Sequence, residues 1–121
     1  MINRRKETRV VEKNHVLIDP PADREGCPVI NAYTFDISTG GARICSHQFF
    51  NVGSVIKLQV ELARSHQMIQ LEAEVKWFRM KEVENVFEFG VEFRHRMTTT
   101  LLALIRHLYQ PDEKIPLSMS M

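Results

Sequence analysis

Three stretches of this chain alternate apolar and polar residues with a strict period of two. In 56–62, Ile56, Leu58, Val60 and Leu62 alternate with Lys57, Gln59 and Glu61. In 71–77, Leu71, Ala73, Val75 and Trp77 alternate with Glu72, Glu74 and Lys76. In 87–93, Phe87, Phe89, Val91 and Phe93 alternate with Glu88, Gly90 and Glu92. Successive side chains of a strand point to opposite faces, so this pattern predicts strands with one face on a core and the other in water. Shorter strand-like runs cover 9–18, 30–37 and 41–46. Between the runs stand turn-forming sequences: "DPPADREG" at 19–26, where proline removes ladder donors, "STGG" at 38–41 and "NVGS" at 51–54. "KEVEN" at 81–85 reads as a hairpin connection.

The period changes at residue 98. Leu101, Leu104, Ile105 and Leu108 have the spacing of one helix face. Thr98 or Thr99 can cap the start, and Pro111 ends the segment. Six short antiparallel strands followed by one helix predict a mainly β fold, a small closed barrel with the helix over one opening. The 121 residues are enough for one domain with its own core, and no repeat or linker divides them. Residues 111–121 read as a frayed tail.

Charge is distributed unevenly. The net charge is +1, yet residues 1–13 carry Arg4, Arg5, Lys6, Arg9 and Lys13 against Glu7 and Glu12. "RRKETR" at 4–9 is either a solvated basic arm or an anion site. Arginine's planar fork grips phosphate in two places and also matches the O6/N7 edge of guanine. Arg5 and Arg9 are four apart, a spacing from which both reach one ligand. "DISTGG" at 36–41 places Asp36, Ser38 and Gly41 at spacing D-x-S-x-x-G. As a turn, Asp and Ser bond their own backbone and the glycines supply positive φ. As a recognition corner, the carboxylate accepts from the N1 and N2 donors of guanine, the hydroxyl adds one bond, and the glycine lets a ligand approach the backbone. Trp77 belongs to the core by its alternation with Leu71, Ala73 and Val75. At the surface it would instead stack on a base or on an arginine plane.

RRxxxR before the first strand, then DxSxxG between two early strands, resembles the PilZ domain family. The resemblance continues through "VGSVIKLQVEL" (52–62), "LEAEVKWFRM" (71–80), "FGVEF" (89–93) and "LLALIRHLY" (101–109). It implies a six-stranded antiparallel PilZ-type β-barrel with a C-terminal α-helix, a single domain over residues 1–110 whose residues 1–9 are a flexible arginine-rich arm. It implies cyclic di-GMP as ligand, with Arg5 and Arg9 on phosphate and guanine, Asp36 and Ser38 on base donors, and Gly41 keeping the turn open. In the family, an arginine directly before the RxxxR pair goes with two stacked, intercalated ligand molecules, and the same is implied for Arg4. The expected role is a receptor or adaptor that changes conformation on binding and regulates an effector protein in trans, in motility, biofilm or polysaccharide control.

Other chemistries find little support. No run of about 20 apolar residues offers a membrane span, and the N-terminus lacks a secretory h-region, so a cytoplasmic location is expected. His15, His47, His66, His95 and His107 are scattered without metal-ligand spacing, so no metal is expected. There is no GxGxxG, P-loop or GxSxG, and the chain reads as a receptor rather than an enzyme. Cys27 and Cys45 form no CxxC pair and are expected as reduced thiols, Cys45 as small core filler. The competing function is a small barrel binding single-stranded nucleic acid through its basic arm. The near-neutral net charge and the lack of aromatics among the arginines argue against it.

Overall fold

A computed structural model describes residues 9–19, 28–95 and 97–109. Arg4 and Arg5, the rest of the arm before residue 9, most of "DPPADREG", Cys27, Pro111 and the tail lie outside the described residues. Among the described residues seven strands precede one helix: β1 (Val10–Val11), β2 (His15–Ile18), β3 (Ile30–Ile37), β4 (Gly41–Ser46), β5 (Val55–Glu61), β6 (Met68–Lys81), β7 (Val86–Arg94) and α1 (Thr98–Tyr109). All pairings are antiparallel. The order β3-β2-β5-β6-β7-β4 closes through a β3–β4 pairing into a six-stranded barrel, and β1 adds a short extra strand to β3.

Most of the alternating residues do what their period predicts. Ile56, Leu58 and Val60 of β5, Ile69, Leu71, Ala73 and Val75 of β6, and Phe89, Val91 and Phe93 of β7 face a common core. Val16, Ile18, Ile37 and Ile44 complete it, and Leu104 and Leu108 of α1 close it from outside the sheet. The hairpin predicted at 81–85 joins β6 to β7, with Asn85 in the left-handed region at φ 57°, a conformation asparagine tolerates.

Three sequence expectations are corrected. The run 9–18 is two strands, because the backbone between them leaves the ladder to use Thr34. The Thr34 hydroxyl donates to the Glu12 carbonyl at 2.6 Å and accepts from the Asn14 backbone N–H at 2.9 Å. The fully buried Asn14 side chain in turn accepts from the Ala63 N–H at 2.7 Å. On α1, Ile105 is 36% exposed and His107 takes the inward place beside Leu104 and Leu108. The buried imidazole has partners there: Nε2 lies 2.8 Å from Glu12 Oε1, and Nδ1 lies 3.1 Å from Ser65 Oγ. Cys45 is a buried free thiol, but it sits on the outer face, paired with Tyr33 and Glu88, outside the core cluster.

Glu12 is the point where the start of the chain meets the helix. Burial alone raises its carboxyl, but Arg64, bonded to it at 2.6 Å, and His107 outweigh that and hold it below the ordinary value of 4.5. A carboxylate depressed in the folded state contributes stability that is complete above pH 4.5 and is lost as pH falls through the lower folded value. Glu12→Gln is therefore expected to destabilise the chain at neutral pH and to flatten its stability profile below pH 4.5. Equal acid dependence of the melting temperature in both proteins would contradict this role.

Candidate ligand site

The site lies on the outside of the barrel, and two bulges put it there. Between Thr34 and Asp36 the β3–β4 register shifts by one residue at Phe35. Thr34 pairs with the core residue Ile44, while Asp36 pairs with Arg43. Directly paired residues share a face, so the bulge turns Asp36 outward although it stands two residues after an inward side chain. The same happens on β6. Val75 pairs with the core residue Val91, the register shifts at Lys76, and Trp77 pairs with Gly90 on the outer face. Trp77 is 42% exposed, so the core position predicted by its alternation is corrected. Trp77 covers Gly90: a Cβ added there would lie 2.2 Å from the indole Nε1.

Asp36, Arg43, Trp77 and Gly90 meet Arg9 and Lys76 in an open cavity of about 350 Å³. Asp36 is 2% exposed and both its oxygens accept from arginine. Arg9 Nη1 donates to Oδ1 at 2.7 Å. Arg43 donates to Oδ2 through Nη2 at 2.7 Å and Nε at 3.2 Å. The Arg43 guanidinium lies 4.4 Å from the centre of the Phe35 ring, a cation–π distance. Its bonds to Asp36, opposed in part by burial, push its pKa above the ordinary value. The arrangement offers one buried acceptor group, three cations and an aromatic plane. Such a set suits an anionic ligand carrying donor edges and flat rings.

Ser38 and Gly41 sit beside this cavity but do not line it. Ser38 is fully buried and shapes the β3–β4 turn. Its Oγ accepts from the Gly40 and Gly41 N–H groups at 3.2 Å each, and its own N–H donates to the Gly41 carbonyl at 2.8 Å. Among the described glycines only Gly53 has positive φ, so the expectation that the "STGG" glycines supply positive φ is corrected. Gly41 is required for space, since a Cβ there would stand 2.2 Å from the Val91 carbonyl oxygen. His95 steadies the same turn by donating from Nε2 to the Thr39 carbonyl.

Arg43, Lys76 and Gly90 escaped the sequence reading. A lone glycine inside the strand "FEFGVEF" is a signal of close approach, and here the approaching group is Trp77. Arg43 gives no comparable signal, because only the bulge at Phe35 aligns it with Asp36. Among the described residues no group of three or more His, Cys, Asp or Glu is gathered to hold a metal, and no helix is long and apolar enough to cross a membrane.

The barrel is similar to several solved structures. The Bacillus subtilis inhibitor of motility (MotI/DgrA) superposes with a TM-score of 0.72 at 20% identity, covering 88% of this chain and 50% of that one. The PilZ domain of YcgR from Escherichia coli, solved with c-di-GMP, gives 0.70 at 14% identity over 88% of this chain and 90% of that one. MrkH from K. pneumonia, in complex with c-di-GMP, gives 0.67 at 15% identity over 87% and 51%. These identities show a shared fold, and the chain spans about half the length of MotI and MrkH. No curated protein sequence matches it. The PilZ domain family model matches residues 3–110, a span that includes the whole barrel and the helix, and the chain belongs to the PilZ domain family.

Proposed function

We propose that this chain is a cyclic di-GMP receptor that acts on a partner protein in trans. The observation that carries the reading is Asp36, a carboxylate 2% exposed between Arg9 and Arg43 and beside the exposed Trp77. Its oxygens match the N1–H and N2–H donors of guanine. Arg9 and Lys76 match phosphate, and Trp77 offers a plane for a base. The cyclic di-GMP found in the related YcgR and MrkH structures supports the choice of ligand.

Arg4 and Arg5 belong to the same site in this reading. Four residues of chain reach at most about 14 Å, so Arg5 is tethered within that distance of Arg9. In this reading the ligand phosphates neutralise the arginine-rich arm and draw it onto the Asp36 corner. The ordering entropy is offset by charge-assisted bonds of about 1.5–3 kcal/mol each. Arg4 holds a second, intercalated ligand molecule, and Ser38 and Gly41 set the turn that aims Asp36. The rearranged arm presents a new surface to the effector, in the cytosol where the nucleotide is found.

Trp77 is the sole tryptophan, so its fluorescence reports directly on the site. Cyclic di-GMP is expected to quench it saturably, and Arg5→Ala or Arg9→Ala to shift the titration about tenfold or more to weaker binding, the loss of one charge-assisted interaction. Titrations of both variants that overlay the wild type would remove the arginines from the site.

A further inference from the structure

Two carboxylates on the outer face of the barrel flank one guanidinium, that of Arg43, and both are buried: Asp36 at 2% and Glu88 at 1% exposure. The alternation of β7 predicts Glu88 in water. A buried carboxylate is tolerated only when paired, and three arginines cover these two. Arg9 holds Asp36. Arg79 Nε donates to Glu88 Oε1 at 2.7 Å. Arg43 stands between them, seated on Asp36 Oδ2 through Nε and Nη2, with Nη1 3.9 Å from Glu88 Oε2. A guanidinium has five donors in a fixed fork. A movement of about 1 Å brings this one into hydrogen-bond range of Glu88.

That placement matters because both oxygens of Asp36 already carry an arginine. A guanine edge, with two adjacent donors, needs a site on each oxygen; Oδ1 accepts one bond from Arg9 and keeps a lone pair, whereas Oδ2 already accepts two from Arg43, so Arg43 must yield. Arg43 also has a second buried carboxylate beside it.

Resting on the cyclic di-GMP reading, we propose that Arg43 is a gate on Asp36 and that Glu88 is the seat to which it retreats when guanine binds. The gate also sets specificity. A ligand displaces Arg43 only if it returns two donors to the buried carboxylate. Adenine returns at most one donor, from N6, and sets the N1 acceptor against the other carboxylate oxygen, the kind of mismatch a polar site rejects most strongly. Glu88 needs no contact with the ligand for this. It lowers the cost of moving Arg43 and so acts as a positioning residue.

The test is a double-mutant cycle on the full chain, titrating cyclic di-GMP into wild type, Glu88→Gln, Arg43→Gln and the double variant. Glu88→Gln is expected to weaken binding about tenfold, the worth of one charge-assisted bond. In the Arg43→Gln background it is expected to change nothing, since no guanidinium is left to reseat. Arg43→Gln alone is expected to bind at least as tightly as wild type and to discriminate less against cyclic di-AMP. Glu88→Asp, which withdraws the seat by one methylene and keeps the charge, replaces the glutamine variant if that one does not fold. Wild-type affinity in Glu88→Gln, an equal loss in both backgrounds, or a loss of affinity in Arg43→Gln would each overturn the gate while wild type still binds. A wild-type chain that does not bind cyclic di-GMP would overturn the receptor reading itself.

Discussion

Asp36→Asn is expected to lower cyclic di-GMP affinity about a hundredfold, with little change in melting temperature. The affinity loss follows from the proposed role of the carboxylate. An amide offers one oxygen where guanine needs two acceptors, and the remaining bond is no longer charge-assisted. Two such interactions at about 1.5–3 kcal/mol each bring the loss to a hundredfold or beyond. The small stability effect follows from who is buried. Asp36 is 2% exposed, but its partners Arg9 and Arg43 are 39% and 31% exposed. When the carboxylate goes, the guanidiniums turn to water, and the desolvated charge that needed them is gone. Titration with cyclic di-GMP and a thermal melt check both halves. Unchanged affinity would remove Asp36 from recognition, and a collapse of the fold would make its role structural instead.

Gly41→Ala is expected to lower the melting temperature by about 10–15 °C, near the upper end of what overpacking costs. The methyl group would meet the Val91 carbonyl oxygen at 2.2 Å. The obstacle is backbone, on a strand bonded to β4 on one side and β6 on the other. It cannot swing away like a side chain, so the β4–β7 pairing must open. Gly90→Ala is the contrast. Its methyl meets the Trp77 ring, an exposed side chain that can move, so stability changes less and the indole signal changes more. A Gly41→Ala protein that melts like wild type would mean that the two strands separate there at little cost.

The contrast between Gly41 and Trp77 also shows where the sequence was readable. Alternation placed Ile56, Leu58, Val60, Leu71, Ala73, Val75, Phe89 and Val91 correctly in the core, because burial acts on every second residue and leaves a long periodic trace. It failed at Trp77 and could not aim Asp36, for one physical reason. A bulge at Lys76 and another at Phe35 each insert one residue and reverse the in–out parity of the strand beyond them. Neither carries a glycine or proline to mark it. The helix face was legible at Leu104 and Leu108, whereas His107 went in because Glu12 and Ser65, remote in sequence, supply its partners. Arg9 and Asp36 were singled out by spacing and residue type, and they meet at 2.7 Å. Arg43 and Glu88 were hidden, since a charged residue on an outer strand position ordinarily reads as solvated surface.

Isothermal titration of cyclic di-GMP into the purified chain, at two salt concentrations and beside cyclic di-AMP and single-stranded RNA, tests the central claim most directly. Saturable binding with a clear preference for the guanine ligand is the predicted result, with two molecules per chain if Arg4 holds an intercalated pair. Absence of binding, or salt-sensitive binding of all three without preference, would contradict the receptor role and move the basic arm to an adaptor or a general nucleic-acid surface.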